Sequence, residues 1–254
     1  MKAGLSRMFW WHRQVGDDLW VGFTDTSAGN LALHVQDDPD AVHGRRSRLE
    51  AAMGVAPGSL RFMNQVHSAV VVPAHDPGEA APTADGMLSA DGSAPLAVMV
   101  ADCVPVLLAG TTSGGEPVTA AVHAGRRGLL DGILSAAVDR MAAAGAERIR
   151  AWIGPCVCGL CYEVPAGMQA EAVALVPETA ATTRNGTTAL DLPAGAEAQL
   201  AALGVEVERV PGCTLENLEL YSHRRDPAAG RIAGVIWRRR HLPVGGRLPA
   251  GNRQ

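Results

Sequence analysis

Three stretches of this chain end in a side chain that could bind a metal or do nucleophilic chemistry. FMNQVHS carries His67, VADCVPVLLAG carries Cys103 and AVHAGRRG carries His123. Two imidazoles and a thiolate are sound ligands for zinc, and a catalytic zinc commonly takes three protein ligands and keeps a fourth position open. The same side chains suit a second chemistry. Cys103 as thiolate, His123 as base and His67 or Asp102 as orienting group would make a cysteine hydrolase. Copper also accepts Cys and His. However, a blue-copper site needs an axial ligand, and multicopper sites draw on many histidines. The chain has 8 His and no His-x-His pair. A third possibility is a non-catalytic metal binder. Taken singly, each residue has a plainer reading, because cysteine usually just packs like a small hydrophobe. Their conjunction is what argues for a site. Asp102 adds to it: an acidic residue inside a buried run needs a reason, so it is expected beside the metal ligands or as an acid near the substrate.

Such a triad needs rigid elements to hold it. LAVMV and VPVLLAG are continuous apolar runs broken at Asp102-Cys103, as expected of strands buried on both faces. VTAAVHA reads as the next strand, LWVGFT (19–24) as an earlier one, and LRFMNQVHSAVVV as a strand or strand pair ending near His67. A helix is expected from about Pro39 to Met53, with Gly54 near its end. GLLDGILSAAVDRMAAAG reads as one helix stopped at Gly145. Farther on, IRAWIGP, TALDL, VEVERV and GRIAGVIW read as strands, PAGMQAEAVALV and PAGAEAQLAALG as helices, and CTLENLELYSHRRD as a turn leading into helix or loop. Several consecutive strands lack an intervening helix. An α/β fold of layered, mixed sheets flanked by helices is therefore expected, as a single domain over 1–254, rather than alternating βαβ units.

Basic residues cluster near these elements. Arg126 and Arg127 lead into the helix expected near Gly128, where a guanidinium fork and a helix start would suit a phosphate. Arg45, Arg46 and Arg48 fall on the first helix, and His223, Arg224 and Arg225 lie in SHRRD, with surface solvation the default reading for most of them. GPCVCGLCYEV contains Cys158-x-x-Cys161, and Pro155-Cys156 is half of a zinc-deaminase signature. That signature needs P-C-x-x-C and an upstream H-x-E, which the chain lacks. With no second ligand pair beside it, the stretch reads as a tight turn with buried thiols.

The totals narrow the function classes. Over 254 residues, 47% are hydrophobic and 19% charged, a globular composition with a formal charge of -4. That balance opposes a general nucleic-acid or anionic-membrane binder, which needs a basic surface. The basic run WRRRHLP reads as a solvated tail. MKAGLSRMFWWHRQ lacks the pattern of a secretory signal, and the longest apolar run carries Asp102 in its middle, unlike a membrane span. Five cysteines, three of them in CVCGLC, are not a secreted disulfide framework. A reducing cytoplasm is the expected home.

Taken together, NLALHVQDDPDAV, NQVHS, TADGMLS, LAVMVADCVPVLLAG, AVHAGRRGLLDGIL, WIGPCVCGLCYEV, LDL and SHRRDPAAGRIAGVIW resemble the YfiH/laccase-domain family, in the family's order and over about residues 20 to 237. The resemblance implies a single α/β domain of sandwiched sheets related to a cysteine-hydrolase fold. It implies purine nucleoside phosphorylase activity on adenosine, inosine, guanosine or methylthioadenosine, with adenosine deamination besides. Family members were formerly named polyphenol oxidases. It also implies that His67, Cys103 and His123 form a zinc site. Asp102, Cys103 and His123 would then be the catalytic residues, and Arg46 and Arg127 candidates for holding phosphate or the ribose side. The chain departs from the family pattern at four places. Arg45 replaces an Asn, Ser68 a Gly and Arg126 a Trp, and FTDTSAGN lacks the usual Arg and longer loop.

Overall fold

The apolar runs on either side of Cys103 become two strands buried on both faces, and the rest of the architecture is built around them. The computed structural model describes residues 8–239. The first seven residues of the amino-terminal stretch, and the part of WRRRHLP from residue 240 on, lie outside the described residues. In chain order the elements are β1 (Phe9–Gln14), β2 (Leu19–Thr24), α1 (Pro39–Met53), β3 (Val71–Pro73), β4 (Gly86–Ser89), β5 (Leu96–Val100), β6 (Val104–Thr111) and β7 (Pro117–Ala124). They continue with α2 (Arg126–Leu130), α3 (Ile133–Ala143), β8 (Glu147–Ile153), α4 (Ala166–Leu175), β9 (Ala180–Thr182), β10 (Thr188–Leu190), α5 (Leu192–Ala202), β11 (Glu206–Arg209) and β12 (Ile232–Arg238).

Two sheets stack. One is antiparallel, in the order β1-β2-β12-β5. The other runs β11-β8-β6-β7-β4-β3, parallel at its two edge pairs and antiparallel between them. Alternation along each strand divides the side chains among three cores. Leu107 and Ala109 of β6 face inward, meeting Val21, Phe23, Val98 and Ile236 of the other sheet. Val104, Val106 and Leu108 face outward, onto Leu129, Ile133 and Ala137 of α2 and α3 and Ala196 of α5. On the far side, Leu49 and Met53 of α1 cover Ala97, Met99, Val235 and Trp237. The result is one α/β domain of four layers, helix, sheet, sheet, helices, in agreement with the expected sandwich.

Local chemistry sets the helix ends. Asp38 accepts from the Asp40 N–H, Pro39 opens α1, and Gly54 closes it in the left-handed region at φ 74°. The long helix expected over 128–145 is instead two. It breaks at Asp131-Gly132, where Gly132 takes φ 86°, and the first part starts earlier, at Arg126. The stretch 60–73 also differs from expectation. Only Val71–Pro73 is a strand, and the rest follows the sheets through isolated bridges such as Arg61 to Leu96 and Asn64 to Thr83. His67 therefore sits on a loop. Among the described residues, no helix is long and apolar enough to cross a membrane.

Sheet stacking leaves little room where β8 ends. A Cβ on Gly154 would overlap the fully buried Phe23 ring. Gly154→Ala is expected to cost about 1–3 kcal/mol through overpacking, read as a lower denaturant midpoint at unchanged slope. An unchanged midpoint would mean that the sheets part freely here.

Candidate metal centre

The site is assembled around a carboxylate, Asp85, which lies between the bridge at Thr83 and the start of β4. It is fully buried. Three backbone N–H groups reach it: Val66 at 3.2 Å, His67 at 2.9 Å and Ser68 at 2.6 Å. The Ser68 hydroxyl donates to it at 2.7 Å, and the ring Nδ1 of His123 lies 2.8 Å from its Oδ1. Its own carbonyl accepts from the His123 N–H at 2.7 Å. Burial alone would raise the Asp85 carboxyl. The bonds from His123 and Ser68 outweigh burial and hold it well below the ordinary carboxylate range.

This carboxylate fixes both histidines. His123, 2% exposed on β7, has one ring nitrogen committed to Asp85, so the other faces outward. His67 stands at φ 62°, an unusual conformation for a non-glycine residue, and its N–H bond to Asp85 stabilises that turn. Its ring packs against Gly125, where a Cβ would run into His67 Cδ2. That accounts for the glycine after His-Ala in AVHAGRRG. The two imidazoles meet edge to face with centroids 4.8 Å apart. Cys103 follows β5 at the next turn, with its Sγ 3.6 Å from His67 Nε2. The ligand atoms of His67, Cys103 and His123 all lie within 4.8 Å of one another. Burial alone would raise the Cys103 thiol, but His123 and His67 overcome it and bring the thiol down to about 6. Burial alone would lower His123, but Cys103 and Asp85 carry it up to about 9. The donor set, its spread and the carboxylate behind one histidine all fit a bound divalent metal.

Two of the three candidate ligands, His67 and Cys103, line a cavity of about 440 Å³, together with Asp102, Tyr162, His223 and Arg224. Arg224 lies 4.8 Å over the Tyr162 ring. His223, Arg224 and Arg225 are exposed, as the default reading of SHRRD expects, but His223 and Arg224 also line the cavity. Arg225 donates to the carbonyls of Thr214 at 2.7 Å and Leu215 at 3.1 Å, clamping the loop before β12. Asp102 lies in the cavity wall at φ 92°. One of its carboxylate oxygens accepts from the Thr214 hydroxyl at 2.6 Å and the other from the Arg224 N–H at 2.7 Å. A carboxyl acting as acid would have to disturb these bonds. The geometry gives Asp102 the task of positioning the Cys103 turn, and the partner role expected of it falls to Asp85.

The expected phosphate residues separate. Arg46 is half-buried and outside the cavity lining, with its Nε on the Leu31 carbonyl at 2.9 Å and its guanidinium 3.6 Å over Phe62. Burial brings it down to about 10. His34 is lowered by burial and then by the charges of Arg231, Arg46 and His123. Arg231 was not anticipated. Arg127 is exposed on the short α2 and is absent from the cavity lining. GPCVCGLCYEV also differs from its reading as buried thiols. Cys156 is buried, but Cys158 and Cys161 are half-buried and converge with Cys213 and Glu216.

The model of the family described as multi-copper polyphenol oxidoreductase laccase matches residues 20–239. The chain belongs to this family. A purine nucleoside phosphorylase of Streptomyces griseus is 45% identical over 228 residues, covering 87% of this chain and 92% of that protein. One from Streptomyces coelicolor is 46% identical over 230 residues, covering 85% and 94%. Among solved structures, a Neisseria meningitidis protein of the DUF152 family matches with TM-score 0.75 and 31% identity, covering 88% of this chain and 95% of that one. The protein YlmD of Geobacillus stearothermophilus matches with TM-score 0.77 and 28% identity, covering 88% and 93%. The family's members thus include proteins named as nucleoside phosphorylases, on the fold described above.

Because Asp85 orients His123 and the His67 loop together, Asp85→Asn is expected to weaken metal binding roughly 10–100-fold, measured by competition with a chromogenic chelator. Ser68→Ala removes one of the donors and should do less. Equal metal affinity in Asp85→Asn and the parent would contradict this assignment. In chelated protein, Cys103 should alkylate at a rate that climbs through about pH 6 and levels off above it. Added zinc should protect it, with the modified residue located by peptide mass spectrometry.

Proposed function

We propose that the cleft beside His67, Cys103 and His123 carries out phosphorolysis of purine nucleosides at a zinc centre and deaminates adenosine in the same cavity. The observation that carries this reading is the convergence of three metal-ligating side chains beside a cavity of about 440 Å³ that His67, Cys103 and Arg224 line. The names of the Streptomyces relatives support the substrate class.

Phosphorolysis breaks the bond from purine N9 to ribose C1' and forms a bond from a phosphate oxygen to C1'. The sugar becomes cationic and the base leaves with negative charge, so the site must hold an anion below C1' and stabilise the base. Cations that are already desolvated and fixed do this without reorganising. Arg46 meets that description, stacked on Phe62 and tied to Leu31, and we assign it to phosphate. Arg127, exposed just beyond His123, serves to draw the anion in. Tyr162, backed by Arg224, offers a flat face for a purine. His123 is held by Asp85 and acts as a ligand rather than a mobile base. Asp102 contributes by fixing the turn that presents Cys103.

One thiolate and two imidazoles are a borderline-soft donor set suited to zinc. When bound, zinc supplies Lewis acidity for the deamination. Among the described residues the two candidate ligand clusters contain two histidines in all, few for the histidine-rich centres of a multicopper oxidase. One observation favours a second reading. Asp85, His123 and Cys103 form a carboxylate–imidazole–thiol line with a lowered thiol, which is also the arrangement of a cysteine hydrolase. All five cysteines are free, consistent with a reducing compartment, and we place the protein in the cytoplasm.

Metal-quantified protein incubated with adenosine, with and without phosphate, followed by separation of the products, tests this. Adenine and ribose 1-phosphate should form only with phosphate, and inosine without it. Cys103→Ala should lose the zinc of this centre and bring both activities to background. Full deamination by metal-free protein would overturn the shared zinc site. Activity abolished by alkylation but indifferent to chelators would favour the hydrolase.

A further inference from the structure

Beside the cleft, two loops distant in sequence bring together a second set of soft ligands. The first follows β8, where the Cys161 N–H donates to the Cys158 carbonyl at 2.9 Å, closing a Cys-x-x-Cys turn. The second precedes β12, where the Asn217 N–H donates to the Cys213 carbonyl at 3.0 Å, so that Cys213 and Glu216 share a turn of the same reach. The loops are held in register by a parallel bridge between Cys156 and Cys213, with the Cys156 N–H on the Gly212 carbonyl at 3.3 Å and the Thr214 N–H on the Cys156 carbonyl at 3.1 Å. As a result the sulfurs of Cys158, Cys161 and Cys213 and a carboxylate oxygen of Glu216 all lie within 4.8 Å of one another. A tetrahedral zinc with ~2.3 Å bonds sets its thiolates roughly 3.8 Å apart, so the observed spread needs only small side-chain adjustment.

We propose that Cys158, Cys161, Cys213 and Glu216 bind a structural zinc ion, separate from the centre at His67, Cys103 and His123. Two turns each offering ligands three residues apart is the arrangement by which structural zinc closes its four positions. Three thiolates and a carboxylate overload a divalent ion with negative charge, and Arg184 on the β9–β10 turn answers that. It ion-pairs with Glu216 and donates to Cys161 Sγ at 3.4 Å. The site has a clear mechanical task. The Val157 N–H, next to Cys158, donates to the Asp102 carbonyl at 3.0 Å. The hydroxyl of Thr214, next to Cys213, donates to the Asp102 carboxylate at 2.6 Å. Tyr162, next to Cys161, lines the cavity. An ion joining these loops would therefore fix the turn that presents Cys103 and the wall against which the substrate lies.

Metal content of the full chain, purified under reducing conditions, incubated with excess zinc and desalted, tests the proposal. Wild type should hold two zinc ions per chain. Cys103→Ala should hold one, Cys161→Ser should hold one, and the double variant none. Cobalt loaded into Cys103→Ala should give the intense near-ultraviolet thiolate charge transfer of a three-thiolate site, since the only cysteine of the first centre is gone. Glu216→Gln keeps all three thiolates and should weaken cobalt binding while retaining those bands. One zinc per wild-type chain with none in Cys103→Ala would overturn the proposal. So would a disulfide between Cys158 and Cys161 or Cys213 in the purified protein. If Cys161→Ser does not fold, the cobalt spectrum of Cys103→Ala decides alone, and absence of thiolate charge transfer there refutes the second site.

Discussion

Everything at the centre rests on a carboxylate shut away from water. An unpaired buried charge is costly, and a buried carboxylate persists only where donors surround it. Asp85 has five: three successive backbone N–H groups, a hydroxyl and an imidazole. The backbone and hydroxyl donors come from the 66–68 loop, and the imidazole comes from β7. The backbone donors fold the 66–68 loop around the carboxylate and so place His67. The imidazole is that of His123, whose tautomer and plane are fixed at the same time. A single buried anion thereby positions two ligands on separate parts of the chain, and the second sheet, through β4 and β7, holds the anion itself.

The frame explains why the centre lies where strands end. Inside the sandwich, side chains alternate between two packed cores and leave no room for a substrate. At the turn between β5 and β6 the chain must leave one sheet and enter the other, and that turn carries Asp102 and Cys103. Both His67 and Asp102 take positive φ, conformations that cost on the order of 1 kcal/mol or more each and persist only where surrounding contacts over-determine them. Here the contacts are visible: Asp85 for the first, Thr214, Arg224 and Val157 for the second.

Most of this frame could be read from the sequence, because period-two and period-3.6 patterning survive in any window. LAVMV, VPVLLAG, VTAAVHA and GRIAGVIW became strands, and α1 begins and ends at its expected residues. The failures share a cause, which is that contact depends on distance in space rather than along the chain. Asp102 stands out as an acidic residue in an apolar run next to Cys103, whereas Asp85 in TADGMLS meets His67, Ser68 and His123 only through the fold. Cys158-x-x-Cys161 has no second ligand pair in its own stretch because Cys213 and Glu216 arrive from a distant loop. The apolar content of 60–73 suggested a strand, yet backbone donors that a ladder would use are spent on Asp85 instead. Gly132 broke a helix whose apolar stripe runs through it.

The departures from the family pattern acquire physical meaning on this structure. Ser68, where a glycine is usual, adds a hydroxyl donor to Asp85 at 2.7 Å, so the substitution strengthens the central carboxylate rather than disturbing it. Arg126, where a tryptophan is usual, stands close enough to Tyr162 to oppose the rise that burial and Cys103 impose on its phenol. An aromatic face is thereby exchanged for a cation beside the cavity. Under the function proposed above, a purine would lose one stacking surface, while an anionic group would gain an attraction that adds to that of Arg224. The two changes therefore act at different places: Ser68 on the carboxylate behind the histidines and Arg126 on the charge near Tyr162, while His67, Cys103 and His123 stay within 4.8 Å of one another.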